Sequence, residues 1–133
     1  MIMHGSGRTI VSELRFVCDA HVRRWCYQAE MVELDKWSDD DIIVKTEETC
    51  VPGLGLSWGG RSEWGDIMFG SVYDDGMWDD EAEIIIRVRS NCTYDGWKWQ
   101  VSGVYKVDLS MPIYFKEYRM RNKFWLRPYD KPN

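Results

Sequence analysis

A cysteine and a histidine lie three residues apart near the start of the chain, at Cys18 and His21, with Asp19 between them and Cys26 close behind. A nucleophilic cysteine needs an imidazole within hydrogen-bonding distance of its sulfur. Residues 18 and 21 would share a face of a helix but lie on opposite faces of a strand. Because the surrounding sequence alternates as a strand does, we interpret Cys18 as a small buried side chain and predict no cysteine–histidine catalysis.

Carboxylate clusters at 39–41 and 74–80 are the best candidates for a metal site, and a glycine-rich stretch at 53–60 is the best candidate for a phosphate site. Neither cluster has the alternating ligands and final glutamate of an EF-hand loop. The chain has two histidines and no close Cys or His pair of the kind that zinc sites use. The glycine-rich stretch lacks the Gly-Lys-Ser/Thr ending of a P-loop. We therefore predict no metal and no cofactor.

The chain carries four cysteines, and no segment of its sequence resembles an export signal. Residues 1–7 lack the charged start and apolar run of a signal peptide, and no stretch approaches the roughly 18 apolar residues that span a bilayer. We therefore predict a soluble cytoplasmic protein with no membrane partner. In that compartment thiols stay reduced, and the sequon Asn91-Cys92-Thr93 would be unused. The cysteines predicted to be free thiols are Cys18, Cys26, Cys50 and Cys92.

Charge is unevenly distributed along the chain, although the net charge is only -5. Residues 30–83 carry sixteen acidic and three basic side chains, whereas residues 87–133 carry ten basic and four acidic ones. In one arrangement, which we favour, these segments form neighbouring strands and their charges pair across the sheet. In the other, the acids gather on one face, which would attract a basic partner and repel nucleic acid and anionic lipid.

Residues 10–34 fit two kinds of secondary structure. Most even positions from Ile10 to Val22 are apolar, and the phase then reverses so that odd positions from Trp25 to Met31 are apolar. This period of two, interrupted by a bend, predicts two strands. Apolar residues at three- and four-residue steps also fit a helix. The abundance of β-branched and aromatic residues favours strands, so an N-terminal helix is the alternative.

The rest of the chain predicts strands at 42–46, 66–73, 81–90, 97–110 and 113–126. Turn signals separate them, including Asp95-Gly96, which predicts a hairpin, and Gly103, which predicts a bulge. Short strands at this spacing predict a single, mainly β domain over residues 1–133. The expected architecture is a small antiparallel barrel or sandwich, with α+β as the alternative if residues 10–34 were helical.

The segment 114–127 interleaves aromatic and basic residues, as sites for single-stranded nucleic acid do. The simpler interpretation is a strand with apolar side chains inside and cations outside. We favour the strand because the acidic remainder of the chain disfavours binding of a polyanion. The cations concerned are Arg119, Arg121 and Lys123.

Eight tryptophans are more than the core of a small domain ordinarily holds, so we expect indole surface in a pocket or an interface. The leading hypothesis is a non-enzymatic interaction protein, of the inhibitor or immunity type. It would dock an acidic, tryptophan-bearing surface on a basic surface of a partner protein. The predicted docking residues are Trp58, Trp64, Asp74, Asp75, Trp78, Asp79 and Asp80.

The alternative hypothesis is a β-barrel that binds a small molecule in an aromatic-lined cavity, with weak acid–base chemistry as a further option. The residues predicted to line that cavity are Trp97, Trp99, Tyr105 and Trp125.

Overall fold

The computed structural model describes residues 7–20, 22–34, 39–53, 61–73, 81–93, 96–108 and 115–126, which form nine strands and no helix. The mainly β fold is confirmed, and the helix considered for residues 10–34 is wrong, because that segment is two strands joined by a bend. The strands are β1 (Gly7–Cys18), β2 (Arg24–Leu34), β3 (Asp41–Lys45), β4 (Thr49–Pro52), β5 (Ser62–Tyr73), β6 (Glu81–Ser90), β7 (Lys98–Val101), β8 (Tyr105–Asp108) and β9 (Phe115–Leu126).

The strands form two sheets, so the sandwich is the predicted architecture that the structure adopts, and the described strands form no closed barrel. The smaller sheet has the order β5-β1-β9. The larger has the order β3-β2-β6-β7, with β4 also paired to β2 and β8 also paired to β6. All pairings are antiparallel except that of β1 with β9, which is parallel. A parallel pair needs a long crossover connection, and here the chain between β1 and β9 contains the entire larger sheet.

The core lies between the two sheets and follows the alternation seen in the sequence. In β1 the even positions from Ile10 to Cys18 are buried, and in β2 the odd positions from Trp25 to Met31 are buried. The phase change falls at the bend between the strands, as predicted. Four core rings pack together, with Phe16 4.2 Å from Tyr27 and 5.9 Å from Phe124, centroid to centroid, and Trp25 against both Phe16 and Tyr27.

Several polar groups in the interior are satisfied by one another. Asn122 donates from Nδ2 to Ser12 Oγ over 2.9 Å and accepts at Oδ1 from the Tyr105 hydroxyl over 2.5 Å. Tyr27 donates its hydroxyl to the Asp66 carboxylate over 2.7 Å. Burial, reinforced by that carboxylate, raises the pKa of Tyr27 above its ordinary value of 10.0. The bonds of Tyr105 to Asn122 and of Tyr27 to Asp66 join the two sheets, whereas the bond of Asn122 to Ser12 lies within the smaller sheet.

The prediction of free thiols is wrong, because all four cysteines are paired. Cys18, at the end of β1, is bonded to Cys92, which follows β6, with their Cα atoms 5.9 Å apart. Both are fully buried, so this disulfide links the two sheets inside the core. Cys26 and Cys50 face each other on β2 and β4 and form the second disulfide. Nothing in the local sequence indicates these two pairs, because only the fold brings their sulfurs within bonding distance.

The predicted strand 97–110 is two strands, because the chain leaves the β6 ladder at residues 102–104. Ser102 bridges the gap: its N–H donates to Ile86 O over 2.8 Å, and its hydroxyl accepts from Ile86 N over 2.9 Å. Gly103 lies in this break, where a bulge was predicted.

Gly53 has a different role, because a Cβ there would overlap the backbone carbonyl oxygen of Val22. Glycine at 53 therefore allows two loops to approach closely.

Candidate functional site

A group of exposed apolar side chains lies on β7 and in the residues that flank it. Trp97, Trp99, Val101 and Val104 are 42%, 55%, 56% and 52% exposed. Trp99 and Val101 pair with Arg89 and Arg87 across the β6–β7 ladder. Because side chains alternate along a strand, this register places both apolar residues on the outer face of the sheet. We call Trp97, Trp99, Val101 and Val104 the β7 surface.

Two arginines of β6 hold the indoles of the β7 surface in place. The Cζ atom of Arg89 lies 4.6 Å from the centroid of the Trp97 ring, and that of Arg87 lies 5.8 Å from the Trp99 ring. The guanidinium groups also bond Glu48, at 3.3 Å, and Glu30, at 3.4 Å. Each arginine is thus held between a ring and a carboxylate. A ring that is already ordered loses less side-chain entropy when a partner binds.

The β7 surface also borders an open sheet edge. On one side β7 and β8 pair with β6, and among the described residues neither strand has a partner on its other side. An edge strand presents N–H and C=O groups that another extended chain can pair with. Exposed indoles beside an open edge are typical of a surface that accepts a peptide strand.

An open groove of about 470 Å³ runs between β7–β8 and β9. Val101 and Tyr105 line it on one side, and Arg121, Lys123 and Trp125 line it on the other. Lys123 Nζ lies 4.5 Å from the Trp125 ring centroid, and the Cζ atom of Arg61 lies 4.9 Å from it. The bank formed by residues 100–105 is therefore of mixed polarity, and the bank formed by β9 is aromatic and cationic.

A second open groove, of about 630 Å³, crosses the smaller sheet. Its lining includes Arg15, Glu63 and Trp64, and Arg15 Nη2 lies 2.6 Å from Glu63 Oε2. This ion pair holds the pKa of Glu63 below its ordinary value of 4.5. Because both partners are well exposed, the pair contributes little to stability.

Three acids of residues 30–83 contact cations of the basic segment 87–133, as in the favoured charge arrangement. Glu30 bonds Arg87 and Glu48 bonds Arg89, while Lys106 Nζ lies 3.8 Å from Glu81 Oε1. The acids that neighbour the exposed indoles of β7 are thus compensated, and the surface around those rings is not acidic.

Of the seven predicted docking residues, only Trp64 is described, and it is 44% exposed. The other six lie outside the described residues, as does His21. Cys18 cannot act as a thiol nucleophile while it is bonded to Cys92. The six undescribed docking residues are Trp58, Asp74, Asp75, Trp78, Asp79 and Asp80.

The four residues predicted to line an aromatic cavity divide into two pairs. Tyr105 and Trp125 line the groove beside β9, whereas Trp97 and Trp99 lie on the outer face and do not line it. The register explains this division: Trp99 and Val101 share the face of β7 whose partners on β6 are arginines, which is the solvent face.

The basic–aromatic segment 114–127 has the structure of an ordinary strand over its described part, β9. Met120, Phe124 and Leu126 are buried, while Arg119, Arg121 and Lys123 are exposed. Glu13 Oε1 lies 3.0 Å from Arg119 Nη1, and Glu13 Oε2 lies 3.2 Å from Arg121 Nε. The predicted strand is therefore confirmed over residues 115–126, and the question of nucleic-acid binding stays a prediction.

Comparison with known proteins places the chain in no group: no family model, curated protein or solved structure matches it. No helix in the described residues is long and apolar enough to cross a membrane. Function must therefore be argued from the geometry above.

Proposed function

We propose that this chain is a non-enzymatic interaction protein that binds an extended, acidic segment of a partner protein along the β7 surface. The observation that carries the proposal is the 42–56% exposure of two tryptophans and two valines beside an open strand edge. Ordered aromatic side chains are the commonest anchors of protein interfaces. The partner segment would pair with β7 and place apolar side chains on Trp99 and Val101.

The charge of the partner follows from the bank of the neighbouring groove that β9 forms. Arg121 and Lys123 line that bank, and Arg61 and Lys123 both stack on Trp125. Carboxylates of a bound segment would meet these cations at short range, which steers association and fixes orientation. A basic segment would be repelled, so we propose an acidic one.

A displayed library of random linear peptides tests this proposal. Peptides enriched on the wild-type chain are expected to be acidic with apolar residues at alternate positions. Their affinity for Trp99→Glu should fall about 30-fold, the loss expected for a central aromatic anchor worth about 2 kcal/mol. Ile42→Glu is the matched control, because Ile42 is 51% exposed on β3 at the opposite edge of the same sheet.

The outcome that contradicts the proposal is equally specific. If the enriched peptides bind Trp99→Glu and the wild type equally, or lose affinity for Ile42→Glu instead, the β7 surface is not the docking site. If the enriched peptides were neutral or basic, the proposal of an acidic partner would be wrong. The binding of those peptides to Trp99→Glu and Ile42→Glu would still test where the docking site lies.

The acidic surface predicted from the sequence stays a second proposal, in which the chain docks on a basic partner. The observation in its favour is the exposed indole of Trp64 on β5, the strand that precedes the acidic segment 74–80. Reversing the charges of four aspartates is expected to slow association with a basic partner steeply at low salt and hardly at high salt. An unchanged association rate would remove this proposal. The aspartates are Asp74, Asp75, Asp79 and Asp80.

Binding of a small molecule is the third candidate, and the groove lined by Tyr105 and Trp125 favours it, because its 470 Å³ is within the range of ligand sites. A bound metabolite would raise the melting temperature by mass action, and Trp125→Ala should abolish the shift. The absence of any shift across a broad metabolite panel would count against this candidate.

A further inference from the structure

We propose that Asn91 is an N-glycosylation site. The proposal does not depend on the docking surface. It begins from the two disulfides, which use all four cysteines. Structural disulfides form and persist in oxidising compartments such as the lumen of the endoplasmic reticulum. That lumen is also where Asn-x-Ser/Thr acceptors receive glycans.

The sequence provides a single acceptor of this kind, Asn91-Cys92-Thr93. We expected the sequon to be unused because residues 1–7 do not resemble an export signal, whereas the paired cysteines favour an oxidising compartment. The sequon lies directly after β6, at the start of the connection to β7, and Asn91 is partly exposed. Glycans require a surface position, and a hairpin connection provides one.

The hydrogen bonds of Asn91 determine which branch of its amide faces the protein. Its side-chain oxygen Oδ1 accepts from the backbone N–H of Cys26 over 2.6 Å, and its own N–H donates to Cys26 O over 3.1 Å. Only oxygen can accept from an N–H, so Nδ2 is the branch directed away from Cys26. No hydrogen bond between described residues uses Nδ2 of Asn91.

This geometry is compatible with the modified side chain. Transfer forms a bond from Nδ2 to the anomeric carbon of the oligosaccharide and breaks the bond of that carbon to a lipid pyrophosphate donor, which departs; Nδ2 loses one of its two protons. The carbonyl oxygen is unchanged by the reaction. The glycosylated residue can therefore keep its bond to Cys26 N and the native packing around the second disulfide.

The test is translation of the full chain behind a cleavable export signal in the presence of endoplasmic-reticulum microsomes. A second sequon in an appended C-terminal tag reports entry into the lumen. The wild-type chain is expected to carry two glycans, and a glycan-removing amidase should collapse it to one band. A chain glycosylated on the tag alone would overturn the proposal.

Three variants separate the sequon from the fold. Asn91→Asp removes the acceptor nitrogen and keeps an oxygen for Cys26 N, so it should lose one glycan and retain its denaturation midpoint. Thr93→Ser keeps the sequon and should carry both glycans, whereas Thr93→Ala should carry only that of the tag. Retention of both glycans by Asn91→Asp would also overturn the proposal.

Discussion

The disulfide in the core provides the sharpest test of the structure. Replacing Cys18 and Cys92 together with alanine opens a covalent loop spanning 74 residues. The loop-entropy relation gives a loss of about 4.4 kcal/mol in unfolding free energy for a loop of this length. The Cys26–Cys50 disulfide spans 24 residues, and the same relation gives about 3.4 kcal/mol for its removal. Each loss is a substantial fraction of the total stability of a small domain, about 5–15 kcal/mol.

Guanidinium denaturation of the wild type and of the two double variants measures these losses, with intrinsic tryptophan fluorescence as the signal. Cys18→Ala/Cys92→Ala is expected to have the lower midpoint of the two variants, because its loop is longer and both of its sulfurs are buried. A thiol assay on denatured but unreduced wild-type protein should detect no free thiol. Each double variant remains oxidised at its other disulfide and so serves as a control for the other.

Two results would refute this reasoning. One is the detection of four free thiols in the denatured, unreduced wild-type chain. The other is a midpoint for Cys18→Ala/Cys92→Ala that matches the wild type, which would mean that these sulfurs do not link the two sheets.

Three further predictions concern single residues. Gly53→Ala should lower the unfolding free energy by about 3 kcal/mol, because the added Cβ would overlap a backbone carbonyl. Gly103→Ala is the control: its Cβ would meet no atom within 4 Å, so the unfolding free energy should change by less than about 0.5 kcal/mol. Urea denaturation midpoints of the two variants measure the difference. The folded state retains the Tyr27 proton that the unfolded chain releases near pH 10.0, so the unfolding free energy should fall as the pH rises above that value. The fall should be less steep in Tyr27→Phe. Equal slopes of unfolding free energy against pH in the two proteins would contradict the buried hydrogen bond. Because Arg15 lowers the pKa of Glu63, the stabilisation from their interaction is present above pH 4.5 and is lost as the pH falls through the lower pKa of the folded state. In Arg15→Gln, the pKa of Glu63 measured by NMR should rise towards its ordinary value. An unchanged pKa would reject the ion pair.

Local patterns in the sequence were sufficient to predict most of the strands. The alternation in residues 10–34 encodes both β1 and β2, and its phase change marks the bend between them. β6 lies at the predicted residues, because Ala82, Ile84, Ile86 and Val88 alternate with charged or outward side chains and a hairpin signal follows. These features depend on neighbours in the chain, which is why periodicity reveals them.

Long-range pairing could not be predicted in the same way. Nothing local indicates that β1 pairs in parallel with β9, or that Cys18 meets Cys92. The connectivity of four cysteines is one of three possibilities even when oxidation is assumed. The exposure of Trp97 and Trp99 depends on which face of β7 is turned away from the core, and that follows from its register with β6. The tryptophan excess therefore predicted that some indole surface is exposed, as it is at Trp64, Trp97 and Trp99, but did not indicate which tryptophans these are.

The central position of β1 in the smaller sheet has a consequence for how the chain is assembled during synthesis. β1 emerges from the ribosome first, yet one of its two neighbours, β9, begins only at residue 115. The strands of the larger sheet lie between residues 24 and 108 and can associate while the chain is still growing. Until β9 has been made, one edge of β1 remains open to pairing with strands of other chains, so this risk of mispairing lasts until late in translation.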